Sequence, residues 1–242
     1  MIRKVLTIAL TMCAMLALLS TMAIAKGDGD EGSSAVYQGL TITCAEGGIS
    51  EKVKLETASG GGPRRESIVI AENGTYTITG EWDTTIWDGY ANMRAVLIIK
   101  ENVRADITLN GVTIRPDQAI ATNQDSSGIC CKGGTVVTLR LSGNNMIYGR
   151  SLPAIELQNS ADVTITGNGS LTAVSGKGKN GGDGRYPGIG VGQNGGGTLT
   201  INGGTITATG DVTETNSPGG AGIGDNGSYS DGLRRIIIEE KK

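Results

Sequence analysis

Short segments in which apolar and polar side chains alternate fill the chain from Ser67 onwards, and Gly and Asn residues separate them. Alternation with a period of about two residues is typical of β-strands that bury one face. Outside residues 1–25, no window sustains the period of about 3.6 residues that an amphipathic helix requires. The pattern therefore predicts an all-β protein built from many short strands.

Two strand patterns recur along the chain and indicate an internal repeat. The first is an apolar-Thr-apolar triplet at Ile107–Leu109, Val137–Leu139, Val163–Ile165 and Leu199–Ile201. The second is a small residue followed by isoleucine, at Gly128-Ile129, Ala154-Ile155, Gly188-Ile189 and Gly222-Ile223. Both series advance together, so each unit forms one structural turn with loops of variable length. Repeats of about 20–50 residues are typical of solenoids and propellers.

The length of the units favours a solenoid over a propeller. A propeller blade needs about four strands and about 40–45 residues, whereas these units are shorter and carry two or three strand signals. Corners rich in Asn and Gly follow the first strands, at Asn110-Gly111, Asn144-Asn145, Asn168-Gly169 and Asn202-Gly203. Asn and Gly accept the left-handed backbone of a sharp corner, and connections between parallel strands cross over right-handedly. The sequence predicts a right-handed parallel β-helix.

The alternation also predicts which side chains face the interior. Aliphatic side chains are expected to stack inward, at Val137, Leu139, Val163, Ile165, Leu199 and Ile201. The central threonines are expected to face outward, at Thr108, Thr138, Thr164 and Thr200. In the second pattern, the same rule places Cys131 inward with Leu157 and Val191, and Cys130 outward with Glu156.

The N-terminal residues carry the features of an export signal. Arg3 and Lys4 precede an apolar run from Val5 to Met22, and Ala23-Ile24-Ala25 matches a signal-peptidase site. A membrane anchor is the alternative, since an apolar run of about 18 residues approaches the length that spans a bilayer. We predict a cleaved signal peptide over 1–25, a Gly/Ser/Glu-rich linker or N-terminal flap over 26–66, and the β-helix over 67–242. The pattern predicts the start of another coil at Arg234–Ile238, so a truncated longer protein stays open as an alternative.

Composition removes several classes of function. The chain contains no histidine, which excludes Ser-His-Asp triads, Cys-His pairs and HExxH zinc helices. Residues 1–25 hold two of the 21 basic residues and none of the 24 acidic ones, so the exported part has a net charge of −5 (19 against 24). This mild acidity argues against nucleic acid or an anionic membrane as the main partner.

Three cysteines follow the predicted signal, at Cys44, Cys130 and Cys131. Their number is odd and their density is low, so the chain is not a disulfide scaffold. Cys131 is expected to act as a small apolar side chain. A Cys44–Cys130 bridge stays open, and a vicinal bridge is disfavoured because adjacent strand residues point to opposite faces.

The repeats resemble those of secreted bacterial surface proteins that carry pectate-lyase-like β-helices. The similarity lies in the runs ADITLNGVTI, VTLRLSGNN and GGGTLTINGGTITATG, followed by GGAGIG. It covers about Thr75 to Ile238, and the matching residues are corners and core positions. The resemblance implies a pectin-lyase-like fold, a cell-surface or extracellular location, and a carbohydrate-binding or adhesin-like role.

A further class of function to weigh is an enzyme of the same fold. The resemblance would imply a lyase with calcium-binding carboxylates and an arginine base, or a hydrolase with clustered aspartates. At the outward position after each recurrent isoleucine, the chain has Cys130, Glu156, Gly190 and Gly224, with no stacked acid pair. We therefore expect a protein without catalytic residues, and a polysaccharide lyase is the alternative.

Two patches are candidates for carbohydrate recognition. The first holds Trp82, Trp87 and Tyr90 with nearby acids, and its rings could stack on sugars. Its alternative role is to cap the N-terminal end of the helix. The second is a loop with Lys177, Lys179, Asp183, Arg185 and Tyr186. Loops on rigid scaffolds often carry function, and a solvated loop is the alternative.

Metal and cofactor signals are sparse. Gly219–Asp225 comes near a calcium-binding nonapeptide, but its aspartate stands one position late. Asp183 and Asp225 are the candidate calcium ligands, and no other cofactor is predicted. Together, the sequence predicts an exported, non-catalytic protein that binds a polysaccharide, acidic or neutral. A structural or adhesive module that contacts proteins or cell wall is the alternative.

Overall fold

The structure, a computed structural model, describes residues 33–37, 39–57, 66–82, 95–116, 126–176, 186–192, 195–211, 219–225 and 235–238. The predicted signal peptide, 1–25, lies outside these ranges. The elements in chain order are β1 (Ser34–Tyr37), β2 (Leu40–Cys44), α1 (Ile49–Lys52), β3 (Val53–Thr57), β4 (Glu66–Ile70), β5 (Gly74–Glu81), β6 (Ala95–Ile99), β7 (Arg104–Ile114), β8 (Ser127–Cys131), β9 (Val136–Ser142), β10 (Asn144–Tyr148), β11 (Ile155–Leu157), β12 (Asp162–Gly167), β13 (Ser170–Val174), β14 (Ile189–Gly190), β15 (Thr198–Ile201), β16 (Thr205–Thr209), β17 (Ile223–Gly224) and β18 (Arg235–Ile238).

The strands form two sheets in which most neighbours are parallel. The main path of the first sheet has the order β1-β2-β5-β7-β9-β12-β15-β18, and only the β1–β2 and β2–β5 pairs are antiparallel on that path. The second sheet has the order β17-β14-β11-β8-β6-β4-β3, with one antiparallel pair, β3–β4. The described part of the chain is therefore all-β with parallel strands, as the alternation predicts. The helix α1 has four residues, and no described helix is long and apolar enough to cross a membrane.

The chain alternates between the sheets in a fixed order. The strands β10, β13 and β16 pair in parallel with one another and form a row that we name the corner row. Three successive units run from the first sheet through the corner row to the second sheet: β9-β10-β11, β12-β13-β14 and β15-β16-β17. The end of β7 also pairs with β10. In its unit, the single long strand β7 therefore contributes both to the first sheet and to the corner row. Each return of the chain adds one parallel strand to each sheet.

The inward rows confirm the predicted faces. Val163 pairs with Val137 and Leu199, and Ile165 pairs with Leu139. In the second sheet, the four recurrent isoleucines (Ile129, Ile155, Ile189 and Ile223) stand side by side. Most of these side chains are fully buried, and burying each one contributes about 1.5–3 kcal/mol relative to exposure. These aliphatic rows are the core of the molecule.

The strand β7 pairs with β9 in a register that differs by two residues from the one that the repeated triplets predict. The triplets align Thr108 with Thr138, but in the structure Thr108 pairs with Arg140, and Asp106 pairs with Thr138. Thr108 still faces outward, because a shift of two residues preserves the face. Alternating apolar positions continue through Ala105, Ile107 and Leu109 in β7, so the pattern alone does not distinguish the two registers.

The corners use glycine for the left-handed backbone and asparagine for hydrogen bonds. Gly111 and Gly143 have φ angles of 65° and 64°, which favour glycine because a Cβ would be strained there. Asn145, the second residue of the predicted corner Asn144-Asn145, is buried. Its Oδ1 accepts from the Val112 N–H at 3.0 Å, and its Nδ2 donates to the Ser142 and Ser170 carbonyls at 3.1 and 3.0 Å. Asn145 thus ties its own unit to those on both sides.

Residues 33–57, within the segment predicted as a linker or flap, contribute strands to both sheets. The strand β2 pairs with β5, and β3 pairs with β4 in the second sheet. Just after β2, the Glu46 carboxylate accepts hydrogen bonds from the Cys44 thiol at 3.0 Å and from the Thr75 N–H at 3.0 Å. Lys52 Nζ lies 3.6 Å from the same carboxylate. These contacts hold the turn after β2 against the start of β5.

Glu46 is expected to make the stability of this end depend on pH. The hydrogen bonds from Cys44 and then Thr75 lower the pKa of Glu46 from 4.5 to about 2. Its favourable contribution is therefore present above about pH 4.5 and is lost as the pH falls toward 2. Thermal melts of wild type and Glu46→Gln across this range should show the variant less stable near neutral pH and the two proteins converging at low pH. A difference in melting temperature that does not change with pH would contradict this role.

Candidate binding surface

The outward side of the first sheet presents an array of threonines. One outward row contains Thr75, Asp106, Thr138, Thr164 and Thr200, which stand on successive strands. The adjacent row contains Thr43, Thr77, Thr108, Arg140 and Thr166. We name these two rows the threonine face. The side chains of the threonine face are half-buried or exposed, whereas their inward neighbours on the same strands are mostly buried.

The spacing of the threonine face follows from the sheet. Neighbouring strands lie about 4.8 Å apart, and outward positions along one strand are about 6.6 Å apart. Each threonine supplies a hydroxyl that both donates and accepts, together with a methyl group. The surface is therefore a two-dimensional array of small polar and apolar groups, repeated from strand to strand.

A charged pair lies within this array. The Arg140 Nε is 2.8 Å from Asp106 Oδ1, and Arg140 Nη2 is 2.9 Å from Asp106 Oδ2. The arginine side chain is 53% exposed and the aspartate 37%. Hydrogen bonding to Asp106, together with its charge, raises the pKa of Arg140. The pair joins neighbouring rows on β7 and β9, and the two-residue shift in register brings these side chains together.

The corner row carries a second exposed group that the sequence analysis did not single out. The Arg115 guanidinium lies over the Tyr148 ring, with its Cζ 4.7 Å from the ring centroid. Tyr148 ends β10 and Arg115 directly follows β7, so the pairing of Ile147 with Ile114 sets them side by side. Aligning the ends of these two strands in the sequence could have revealed the pair.

The structure describes three of the predicted candidate residues. Trp82 is 3% exposed and packs in the core next to the first parallel strands, so its ring has little surface left for a ligand. Tyr186 is half-buried and Asp225 is exposed. The other candidates lie outside the described residues: Trp87, Tyr90, Lys177, Lys179, Asp183 and Arg185.

The outward side of the second sheet differs from the prediction, because Cys130 and Glu156 are fully buried there. The Ser127 hydroxyl donates to the Glu156 Oε2 at 2.8 Å. The backbone at Gly192 also lies against Glu156 Oε1. A buried carboxylate needs such hydrogen bonds to offset its lost hydration. Strand alternation does not predict a segment that passes over the sheet, and this is why the burial was missed.

The three cysteines downstream of the predicted signal are thiols in the structure, and no disulfide joins them. Cys44 and Cys131 belong to the apolar core, as predicted for Cys131. Burial, followed by the nearby charge of Glu156, raises the pKa of the Cys131 thiol to about 12. Such a thiol is protonated at neutral pH and is a poor nucleophile.

Among the described residues, no group of three or more Cys, Asp or Glu side chains is arranged to hold a metal ion. Of the two candidate calcium ligands, Asp225 is exposed, and Asp183 lies outside the described residues. The acidic side chain on the threonine face, Asp106, is engaged by Arg140 instead.

No protein-family model, curated protein or solved structure matches this chain. The functional assignment therefore depends on the residues and their geometry.

Proposed function

We propose that this protein is an exported, non-catalytic polysaccharide-binding protein, and that its ligand lies along the threonine face. In this proposal, the two sheets and the corner row are the walls of a right-handed parallel β-helix of the pectin-lyase-like class. The regular order of strands in β9-β10-β11, β12-β13-β14 and β15-β16-β17 supports the helix. The features of residues 1–25 and the resemblance to secreted bacterial surface proteins support an extracellular or cell-surface location.

The threonine face is the observation that carries the proposal. Sugars offer hydroxyl groups that exchange hydrogen bonds with side chains, and their C–H faces pack on apolar groups. Threonine supplies both kinds of contact, and the rows repeat them at each strand. A repetitive surface fits a repetitive polymer, because successive sugars can make the same contacts on successive strands.

The charges of the threonine face support binding without cleavage. Glycoside hydrolysis ordinarily uses two carboxyl groups, one as acid and the other as base or nucleophile. Both carboxylate oxygens of Asp106 accept hydrogen bonds from Arg140, so the acidic side chain of this face is already engaged by a neighbour. The guanidinium uses two of its five N–H donors in this pair. Its remaining donors suit hydroxyl or carboxylate groups of a ligand.

Removing three hydroxyls from one row tests the site. The variant Thr138→Val, Thr164→Val, Thr200→Val preserves shape and strand propensity but removes three hydrogen-bonding groups. Since one hydrogen bond contributes about 0.5–1.5 kcal/mol, we expect binding to weaken by about tenfold or more. Retardation in native gels that contain polygalacturonate or a neutral cell-wall glycan measures the change, with circular dichroism to check the fold.

The matched control carries the same substitution at Thr113, Thr172 and Thr207, which form one outward row along the corner row and the end of β7, with Met146 between Thr113 and Thr172. Its retardation should equal that of wild type.

If instead Lys177→Ala, Lys179→Ala, Arg185→Ala abolishes retention in a salt-dependent way, the site is the loop. Retention no greater than that of an inert protein on every glycan would favour the adhesive alternative. Unsaturated product formed with calcium would favour the lyase.

A further inference from the structure

The charges on the outward side of the first sheet balance one another. On three central strands of the threonine face, β7, β9 and β12, the charged residues are two of each sign: Arg104, Asp106, Arg140 and Asp162. The other described strands on the main path of this sheet carry one residue of each sign, Glu81 at the end of β5 and Arg235 at the start of β18. The described part of this sheet therefore presents its hydroxyl groups on a surface without net charge.

The central pair of charges is arranged so that the two cancel locally. Arg140 stands between Thr108 and Thr166 in its row, yet its guanidinium reaches diagonally to Asp106 on β7. The Arg140 Nε lies 2.8 Å from Asp106 Oδ1 and 3.0 Å from Oδ2, and Nη2 lies 2.9 Å from Oδ2. The chain thus supplies from its own sequence the carboxylate that an arginine would otherwise take from an acidic sugar.

A second carboxylate would gain little at this place. A uronate that reached the remaining donors of Arg140 would also meet the negative charge of Asp106, which offsets the attraction of the guanidinium. Exposed ion pairs contribute little even without such a competitor. The net charge of −5 on residues 26–242, from 19 basic and 24 acidic residues, repels a polyanion at longer range. The hydroxyl groups of a neutral sugar avoid this repulsion and still accept hydrogen bonds from the guanidinium and the threonines.

We infer that the threonine face selects neutral polysaccharides over acidic ones, and that the Asp106–Arg140 pair sets this preference. The inference rests on the proposed function and narrows its ligand to a polymer without carboxylate groups. Arg140 is the residue that contacts the sugar hydroxyls. Asp106 acts through Arg140, because it neutralises the guanidinium and leaves it as a hydrogen-bond donor rather than an anion-binding group.

Paired polymers test the preference. Polygalacturonate and its methyl ester share one backbone and differ in charge, as do carboxymethyl and hydroxyethyl cellulose. In native gels with and without each polymer, wild type should be retarded more by the neutral member of a pair. The variant Asp106→Asn, Asp162→Asn leaves Arg104 and Arg140 as unbalanced cations. It should bind the acidic member about fivefold more tightly than wild type does, and salt should weaken this added binding.

The matched control makes the same change in net charge away from the threonine face, with Glu51→Gln and Glu101→Gln at two exposed positions. Its ratio of acidic to neutral binding should equal that of wild type. The exchanged pair Asp106→Arg, Arg140→Asp keeps both charges on the face, so it should keep the neutral preference. Circular dichroism checks that each variant is folded.

Equal or tighter binding of wild type to the acidic members would overturn the inference and leave the proposed function in place. An Asp106→Asn, Asp162→Asn variant with the same binding ratio as the control would overturn it as well. Retention by neither member of any pair would count against the proposed function itself, and the inference would fail with it.

Discussion

Ile165→Asp is expected to prevent the chain from folding. Ile165 is fully buried and lies between Leu139 and Ile201 in an aliphatic row. An aspartate there loses about 1.5–3 kcal/mol of apolar burial, and its unpaired carboxyl group costs several kcal/mol more. Since domains are stable by about 5–15 kcal/mol in total, this loss removes most or all of the stability. Circular dichroism of the purified variant should lack the strand signal of wild type.

The neighbouring residue provides the matched control. Thr164 lies on the outward side of the same strand, so an aspartate there stays in contact with water, with Thr138 and Thr200 as its direct neighbours in the row. The variant Thr164→Asp should fold, with a midpoint of urea denaturation close to that of wild type. Equal damage from both substitutions would show that the face assignment is wrong.

Asn145→Ala is expected to have the second largest effect, although the residue is polar. Asn145 is 1% exposed, and its side chain accepts from Val112 and donates to Ser142 and Ser170. Alanine would leave three backbone groups of three neighbouring strands without these partners. A buried unsatisfied group costs about 1–3 kcal/mol, so we expect a loss of about 2–5 kcal/mol after partial rehydration. Urea denaturation measures this free energy directly.

The adjacent asparagine tests whether the effect comes from burial. Asn144 is exposed, and its Oδ1 accepts one hydrogen bond, from the exposed Ser170 hydroxyl at 2.9 Å. The variant Asn144→Ala should lose less than about 1 kcal/mol, because water can replace that partner. If the two alanine variants had equal stability, Asn145 would not link the units as described.

The sequence predicts the all-β class and the rows of the second sheet well. A small residue before isoleucine marks the same position in each unit, and Ile129, Ile155, Ile189 and Ile223 pair as the repeat requires. The alignment of β7 fails because a period of two residues fixes the face of a strand but allows registers that differ by two. The strand β7 has 11 residues, which gives such an error room to occur.

The candidate site depended on information that the alternation does not contain. A single outward threonine is common in a strand and does not indicate a binding site. The array is recognisable only once the register places Thr138, Thr164 and Thr200 beside one another. The Asp106–Arg140 pair spans 34 positions of sequence and exists only in the shifted register. The burial of Glu156 comes from backbone around Gly192, which local pattern does not connect to that strand. Long-range register and loop paths therefore account for most of what the sequence analysis missed.

The aliphatic rows have one more consequence, which concerns how the protein can change in length. From β9 onwards, each described strand on the main path of the first sheet pairs only with its neighbours on that path. Stability in such an arrangement is approximately a sum of contributions from each unit and from each junction between neighbours. Whole units can therefore be gained or lost by duplication or deletion without repacking the others. The area of the threonine face would grow or shrink in proportion, so the length of polymer that the proposed site could contact would change in steps of one unit.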